Sequence, residues 1–171
     1  MKKRCTGIAA TLLALITPAA MAQGYLAGTI GSTDYNASGF ENGTSVSLLI
    51  GYEVSEAIAL EASYINLGEV SDNIAPVWTL EGDGIILAVR GNLPVTPQLD
   101  LFGRVGMFMW DLTLDQAGSG QIAADEGTDL MVGIGLSLQL SREFDLVAEY
   151  RSLEIDGEDV DNLALGFQYN F

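Results

Sequence analysis

Histidine is absent from this 171-residue chain, cysteine occurs once, and lysine and arginine together number seven against 23 aspartates and glutamates. Without histidine the chain lacks the commonest general base and the commonest metal ligand. Three of the cations, Lys2, Lys3 and Arg4, stand at the very start, and beyond them only Arg90, Arg104, Arg142 and Arg151 are positive. So strong an acidic balance repels phosphate backbones and argues against nucleic acid as a partner. Past the first 22 residues no run of eighteen apolar residues occurs, which excludes a transmembrane helix there. With 49% of residues apolar and 18% charged, the chain still has the composition to fold or insert rather than stay disordered.

Behind the cationic start come an apolar stretch from Gly7 to Ile16, then Pro18, then the triplet Ala20-Met21-Ala22. That order is the pattern of a secretory signal cleaved before Gln23. It predicts a processing segment, residues 1–22, and one exported domain, residues 23–171. Cys5 lies within the signal, so the exported domain is expected to carry no disulfide and no thiolate metal site.

What the exported part does contain is alternation. Val46, Leu48, Ile50 and Tyr52 alternate with Ser45, Ser47, Leu49 and Gly51, and Ile58, Leu60, Ala62 and Tyr64 alternate with Ala59, Glu61, Ser63 and Ile65. Leu130 to Leu140 alternates in the same way with Met131, Gly133, Gly135, Ser137 and Gln139. Period two means strands with one apolar face and one small or polar face. Eight are expected, at roughly 24–32, 44–54, 57–67, 80–93, 98–114, 127–141, 143–155 and 161–171.

The links between them also alternate. Ser55-Glu56, Pro94 to Pro97 and Ser141-Arg142 are short, whereas Ser32 to Gly43, Gly68 to Thr79, Asp115 to Glu126 and Asp156 to Val160 read as long polar loops. An even strand count with long loops at one end and short turns at the other describes an all-β, eight-stranded antiparallel transmembrane barrel of the outer-membrane type. Closure also removes the exposed edges of so many apolar strands. On the apolar parity, Tyr52, Phe144, Tyr169 and Phe171 fall near the short turns and Tyr64 and Tyr150 near the loops, which implies two aromatic girdles. The fifth strand departs from this, because Leu99, Leu101, Val105, Met107 and Met109 on the lipid side put Phe102, Phe108 and Trp110 inside. A bulge between them is the alternative.

The opposite parity sends Glu61, Arg90, Arg104, Glu149 and Arg151 into the lumen, with Glu53 nearer the turns. An eight-stranded barrel is only wide enough to be filled by side chains, so these charges must pair. Such a cluster reads either as a structural plug or as a gate in a small ion channel. A diffusive pore needs many more strands. Gly133-x-Gly135 lacks the third glycine and the helix of a dinucleotide loop, and no cofactor is expected.

Leu163, Leu165, Phe167, Tyr169 and Phe171 alternate up to a terminal phenylalanine. This ending resembles the C-terminal assembly signal of Gram-negative outer-membrane proteins, and LDLFGRVGMFMWDLTL, residues 99–114, is similar to the corresponding strand of OmpA-type barrels. The exported domain as a whole resembles the OmpA/OmpX-like, opacity-type family of small outer-membrane barrels. The resemblance implies an outer-membrane address, contact with lipid and lipopolysaccharide, and handling by the barrel-assembly machinery. It departs from full-length OmpA in that nothing here follows Phe171, where that protein continues into a peptidoglycan-binding domain.

Acids crowd the loop side: Glu69, Asp72, Glu81 and Asp83, then Asp111, Asp115, Asp125, Glu126 and Asp129, then Glu154 and the segment from Asp156 to Asn162. In that last segment Asp156, Glu158, Asp159 and Asp161 form a candidate divalent-cation loop, with oxygen ligands closely spaced but without the EF-hand order. Loose divalent binding and plain solubilising charge are the alternatives, and divalent ions bridging to lipopolysaccharide phosphates would follow from the charge. Tyr35, Phe40 and Trp78 are aromatics suited to an interface, with a girdle position the alternative for Trp78. Catalysis is not expected, since the exported domain has no His, Cys or Lys to activate a serine. The function expected is an envelope-stabilising or surface-interaction role through the acidic loops, with the gated channel as the alternative.

Overall fold

Period-two alternation becomes eight strands in the computed structural model, which describes residues 24–34, 42–71, 78–116 and 120–171. These are β1 Gly24–Asp34, β2 Gly43–Ser55, β3 Ile58–Ser71, β4 Trp78–Thr96, β5 Leu99–Gln116, β6 Gly120–Gln139, β7 Phe144–Ile155 and β8 Glu158–Asn170. Each pairs antiparallel with the next, and β1 pairs with β8 from Tyr25↔Asn170 to Asp34↔Asp161, closing the barrel. The expected signal segment, Tyr35, Phe40 and Asp72 lie outside the described residues.

The two faces are inverted relative to a water-soluble protein. Leu163, Leu165 and Phe167 are 62%, 57% and 60% exposed, while Gln168 and Asn162 on the other parity are buried. Only a hydrocarbon solvent makes that arrangement favourable, because apolar side chains then lose nothing by facing outward. Tyr52, Phe144 and Tyr169 are exposed towards the short-turn end and Tyr64 and Tyr150 towards the loop end. Phe144 and Tyr169 sit with ring centroids 5.2 Å apart, and Tyr169 and Phe171 are 6.1 Å apart.

Hydroxyl side chains close two of the short turns. Thr96 Oγ1 accepts from the Leu99 amide at 3.0 Å, and Ser141 Oγ accepts from the Phe144 amide at 3.1 Å. Each turn is fixed by a local bond that a following strand cannot supply.

The loop end differs from the sequence expectation in two ways. First, β3 continues to Ser71 and β6 starts at Gly120, taking in part of what read as loops between Gly68 and Thr79 and between Asp115 and Glu126, and β4, β5 and β6 run for 19, 18 and 20 residues. Spanning a bilayer takes about 9–11 residues per strand, so these three ladders project beyond the apolar band. The outer part of β6, with Ala124, Asp125, Glu126, Gly127 and Thr128 in succession, has no apolar face and gives no period-two signal. Second, the expected long loop from Asp156 to Val160 is a two-residue hairpin turn, with φ of 51° at Asp156 and 82° at Gly157. Asp-Gly is the sequence that supplies positive φ at both central positions.

The register of β5 against β4 and β6 is continuous from Leu101 to Leu114, so no bulge reverses its parity there. Phe102, Phe108 and Trp110 are all buried inside the barrel. Room for Phe102 and Trp110 comes from glycines directly across the ladder, Gly135 and Gly127, and Gly51 does the same for Tyr25. A Cβ at Gly51 would fall within the Tyr25 ring, and one at Gly135 would strike Phe102.

Candidate functional site

The lumen is built in two halves. Towards the loops it is apolar: Ile65, Leu67, Phe108 and Leu153 are 0% exposed, and Ile86, Trp110, Met131, Ile155 and Val160 pack with them. On the β1 and β8 side of this level, Asn162 Nδ2 donates to Ser45 Oγ at 2.6 Å and Thr33 Oγ1 at 3.0 Å. The sequence expectation of a small or polar inner face therefore fails for this half. Inward parity at Ile65, Met131, Phe108 and Trp110 was the signal for it.

Below that layer the structure brings together all five lumen charges. Arg104 lies at the centre: its Nε is 2.6 Å from Glu61 Oε2 and its Nη2 donates to Glu61 Oε1 at 3.1 Å, while Nη1 donates to Glu149 Oε2. Arg90 Nη1 is 3.7 Å from Glu61 Oε1, and Arg151 Nη2 is 3.6 Å from Glu149 Oε2. The result is an alternating chain, Arg90–Glu61–Arg104–Glu149–Arg151, with all five side chains buried.

Neutral groups complete it. Tyr25 donates its hydroxyl proton to Glu61 Oε1, and Arg151 Nη2 donates to Thr29 Oγ1 at 3.2 Å. Arg90 donates through Nε to Asn92 Oδ1 at 2.6 Å and through Nη1 to Gln168 Oε1 at 3.0 Å. The Phe102 ring has two guanidinium neighbours, with the Arg90 Cζ 4.0 Å and the Arg104 Cζ 4.8 Å from its centroid. Arginine suits both roles, since its planar fork meets a carboxylate edge-on and an aromatic ring face-on. Sequence parity placed the five charges but missed Tyr25, Gln168 and Phe102 as their partners.

At the loop end the acids are tied to the wall. Tyr64 donates to Asp83 Oδ2 at 3.0 Å, Tyr150 donates to Asp161 Oδ1 at 2.6 Å, and Trp110 Nε1 donates to Asp129 Oδ2 at 2.7 Å. Asp156, Glu158, Asp159 and Asp161 are not gathered. Strand alternation sends Glu158 to the opposite side of β8 from Asp159 and Asp161, while Asp156 sits in the turn. Among the described residues no group of three or more His, Cys, Asp or Glu stands where it could hold a metal ion.

Leu163, Leu165, Phe167 and Tyr169 form one exposed stripe on β8, and Phe171 follows it. This stripe ends a barrel whose sequence, over residues 7–171, matches the family described as "Outer membrane protein beta-barrel domain". The chain belongs to that family. It is thus an integral β-barrel of the Gram-negative outer membrane, and it shares its architecture with solved outer-membrane barrels. Outer membrane protein A of Shigella flexneri is 26% identical over 197 residues, covering 100% of this chain and 56% of that protein. The chain therefore spans little more than half the length of this relative. Among solved structures, Neisserial surface protein A superposes with a TM-score of 0.67 at 15% identity, covering 86% of this chain and 96% of that one. The attachment invasion locus protein Ail of Yersinia pestis, solved in complex with the heparin analogue sucrose octasulfate, gives 0.59 at 16% identity, with 87% and 97% covered.

Proposed function

We propose that this outer-membrane barrel is sealed, and that its work is structural and surface-facing rather than conductive. The observation that carries this reading is the apolar layer above the charge cluster, where Ile65, Leu67, Phe108 and Leu153 are wholly buried. An ion crossing the lumen would have to pass this apolar layer after leaving the arginine–glutamate chain. In this reading the cluster is a plug that holds the strands in one arrangement, and the acidic loop-side rim is the working surface.

Charge favours particular partners for that rim. Of the four arginines beyond the expected signal, Arg90, Arg104 and Arg151 are in the lumen and Arg142 is in a short turn, so the loop side among the described residues carries carboxylates without cations. Such a surface repels sulfated sugars of the kind bound to Ail, and it attracts cationic partners and divalent ions that bridge to lipopolysaccharide phosphates. The β8 stripe is the segment proposed to be read by the assembly machinery. No catalytic activity is assigned, because a serine in the exported domain has no histidine or lysine to activate it.

Planar-bilayer conductance of the folded barrel tests the reading, alongside Arg104→Ala and Glu149→Ala. All three are expected to be silent once a gel-mobility shift between unheated and boiled samples shows that they are folded. Discrete openings that change with either substitution would overturn the sealed barrel and make the cluster a gate.

A further inference from the structure

The lumen has a second polar region, at the short-turn mouth, that the charge cluster does not use. A cavity of about 220 Å³ opens there, lined by Pro97, Gln98, Asp100, Ser137, Gln139 and Asp145. Register accounts for this grouping, because Asp100 pairs with Ser137 across β5 and β6, and Gln139 pairs with Asp145 across β6 and β7. All the side-chain functional groups among them offer oxygen, and two are carboxylates.

Asp145 is the informative member. It is 8% exposed, and its Oδ2 accepts from Asn170 Nδ2 at 2.9 Å and Gln168 Nε2 at 3.3 Å, both on β8. Its other oxygen, Oδ1, is buried without any hydrogen-bond partner. The β8 bonds hold the carboxylate from one side, while the cavity lies on the side of β5 and β6. Gln168 cannot turn to help, because its Oε1 is committed to Arg90 Nη1 at 3.0 Å. A buried carboxylate oxygen left without a donor is costly, and a water or a cation entering from the cavity would offset that cost.

The surrounding charge points the same way. Glu53 lies within electrostatic range of both Asp100 and Asp145. The cation also in range of Glu53 is Arg90, which donates through Nε to Asn92 and through Nη1 to Gln168 and stands 3.7 Å from Glu61. Glu53, Asp100 and Asp145 thus outnumber the one lumen guanidinium in range, Arg90, while Arg142 is exposed in the β6–β7 turn and does not line the cavity. Amide, hydroxyl and carboxylate oxygens at irregular spacing, in a space that admits several waters, suit a cation that tolerates flexible oxygen coordination.

We propose that the short-turn mouth of the lumen binds a partly hydrated Ca²⁺ ion between Asp145 and Asp100, with Ser137, Gln98 and Gln139 completing its oxygen shell. This site is at the opposite end of the barrel from the acidic hairpins, and it does not depend on whether the lumen above conducts. Glu53 adds to the field without being required as a ligand.

Calorimetric titration of CaCl₂ into the EDTA-stripped barrel, purified in a zwitterionic detergent, tests this. One saturable site is expected, weakened by about tenfold or more in Asp145→Asn and in Asp100→Asn, and unchanged in Asp159→Asn at the far end. If Asp145→Asn shows no heat-dependent gel shift and so has not folded, Asp100→Asn decides alone. The proposal is overturned if the unsubstituted barrel gives no saturable heat. It is equally overturned if saturable binding persists unchanged in the folded mouth variants, or is lost only in Asp159→Asn, which would move the ion to the rim.

Discussion

Asp129 Oδ2 receives two hydrogen bonds from different parts of the chain: the Trp110 indole at 2.7 Å and the Asp156 amide at 3.1 Å. One carboxylate oxygen therefore ties a ring inside the lumen to the turn joining β7 and β8.

Removing that carboxylate separates the two. In Asp129→Ala the indole N–H of Trp110, a residue only 5% exposed, loses its acceptor. A loss of about 1–3 kcal/mol is expected, the cost of an unsatisfied buried donor. Asp129→Asn keeps an acceptor and should lose less. Urea unfolding of the barrel in lipid vesicles, followed by Trp fluorescence, measures both.

The plug makes a sharper demand. Glu149→Ala leaves Arg151 without a carboxylate within ion-pair distance and leaves Arg104 with Glu61 alone. Breaking a buried pair in this way costs about 3–5 kcal/mol. Replacing Glu149 and Arg151 together by Leu and Met should cost less than Glu149→Ala, since no charge is then stranded. A double variant as unstable as the single one, by the same urea assay, would show that the pairing is not what Glu149 contributes.

Ring-over-glycine packing gives a prediction with an internal control. Gly51→Ala drives a methyl into the Tyr25 ring and displaces its hydroxyl from Glu61, whereas Gly28 faces lipid with nothing within 4 Å of an added Cβ. Overpacking is expected to cost about 1–3 kcal/mol at Gly51. Gly28→Ala should be close to neutral. The comparison is of unfolding midpoints in the same vesicles.

At the β7–β8 hairpin, Gly157 has φ of +82° and open space around it, so Gly157→Ala tests backbone conformation without a clash. About 1 kcal/mol or slightly more should be lost, because a Cβ disfavours the left-handed region. Asp156→Gly should be tolerated at the same turn. Equilibrium unfolding of the two variants side by side checks the contrast.

Much of this architecture was legible because lipid is an apolar solvent for one face of every strand. Residues such as Leu163, Leu165 and Phe167 had to share a parity, and Glu61, Arg104 and Glu149 were left to the other. Parity says nothing of depth, however, so it could not tell which carboxylate meets which guanidinium, or that Tyr25 would reach Glu61 from a neighbouring part of the wall. The outer reach of β6 was illegible for the opposite reason: beyond the bilayer both faces meet water, and Asp125, Glu126, Gly127 and Thr128 leave no alternation to read. The hairpin at Asp156-Gly157 was a different omission. Its signal lay in two residues of turn chemistry, hidden within a run of acids that read as loop. The cavity at Asp145 depends on three strands arriving at one height, which only the register supplies.

On the sealed-barrel proposal, the apolar layer around Phe108 and Leu153 divides the barrel's interior unequally between the two compartments. In such a sealed barrel, the lumen seen from the short-turn side is a blind well, open at its polar mouth to the salts and small solutes of that compartment alone. Seen from the loop side it is a lid. On the sealed-barrel proposal, changes in the medium on the loop side would register on the acidic rim while leaving the arginine–glutamate chain untouched, and changes on the short-turn side would do the reverse.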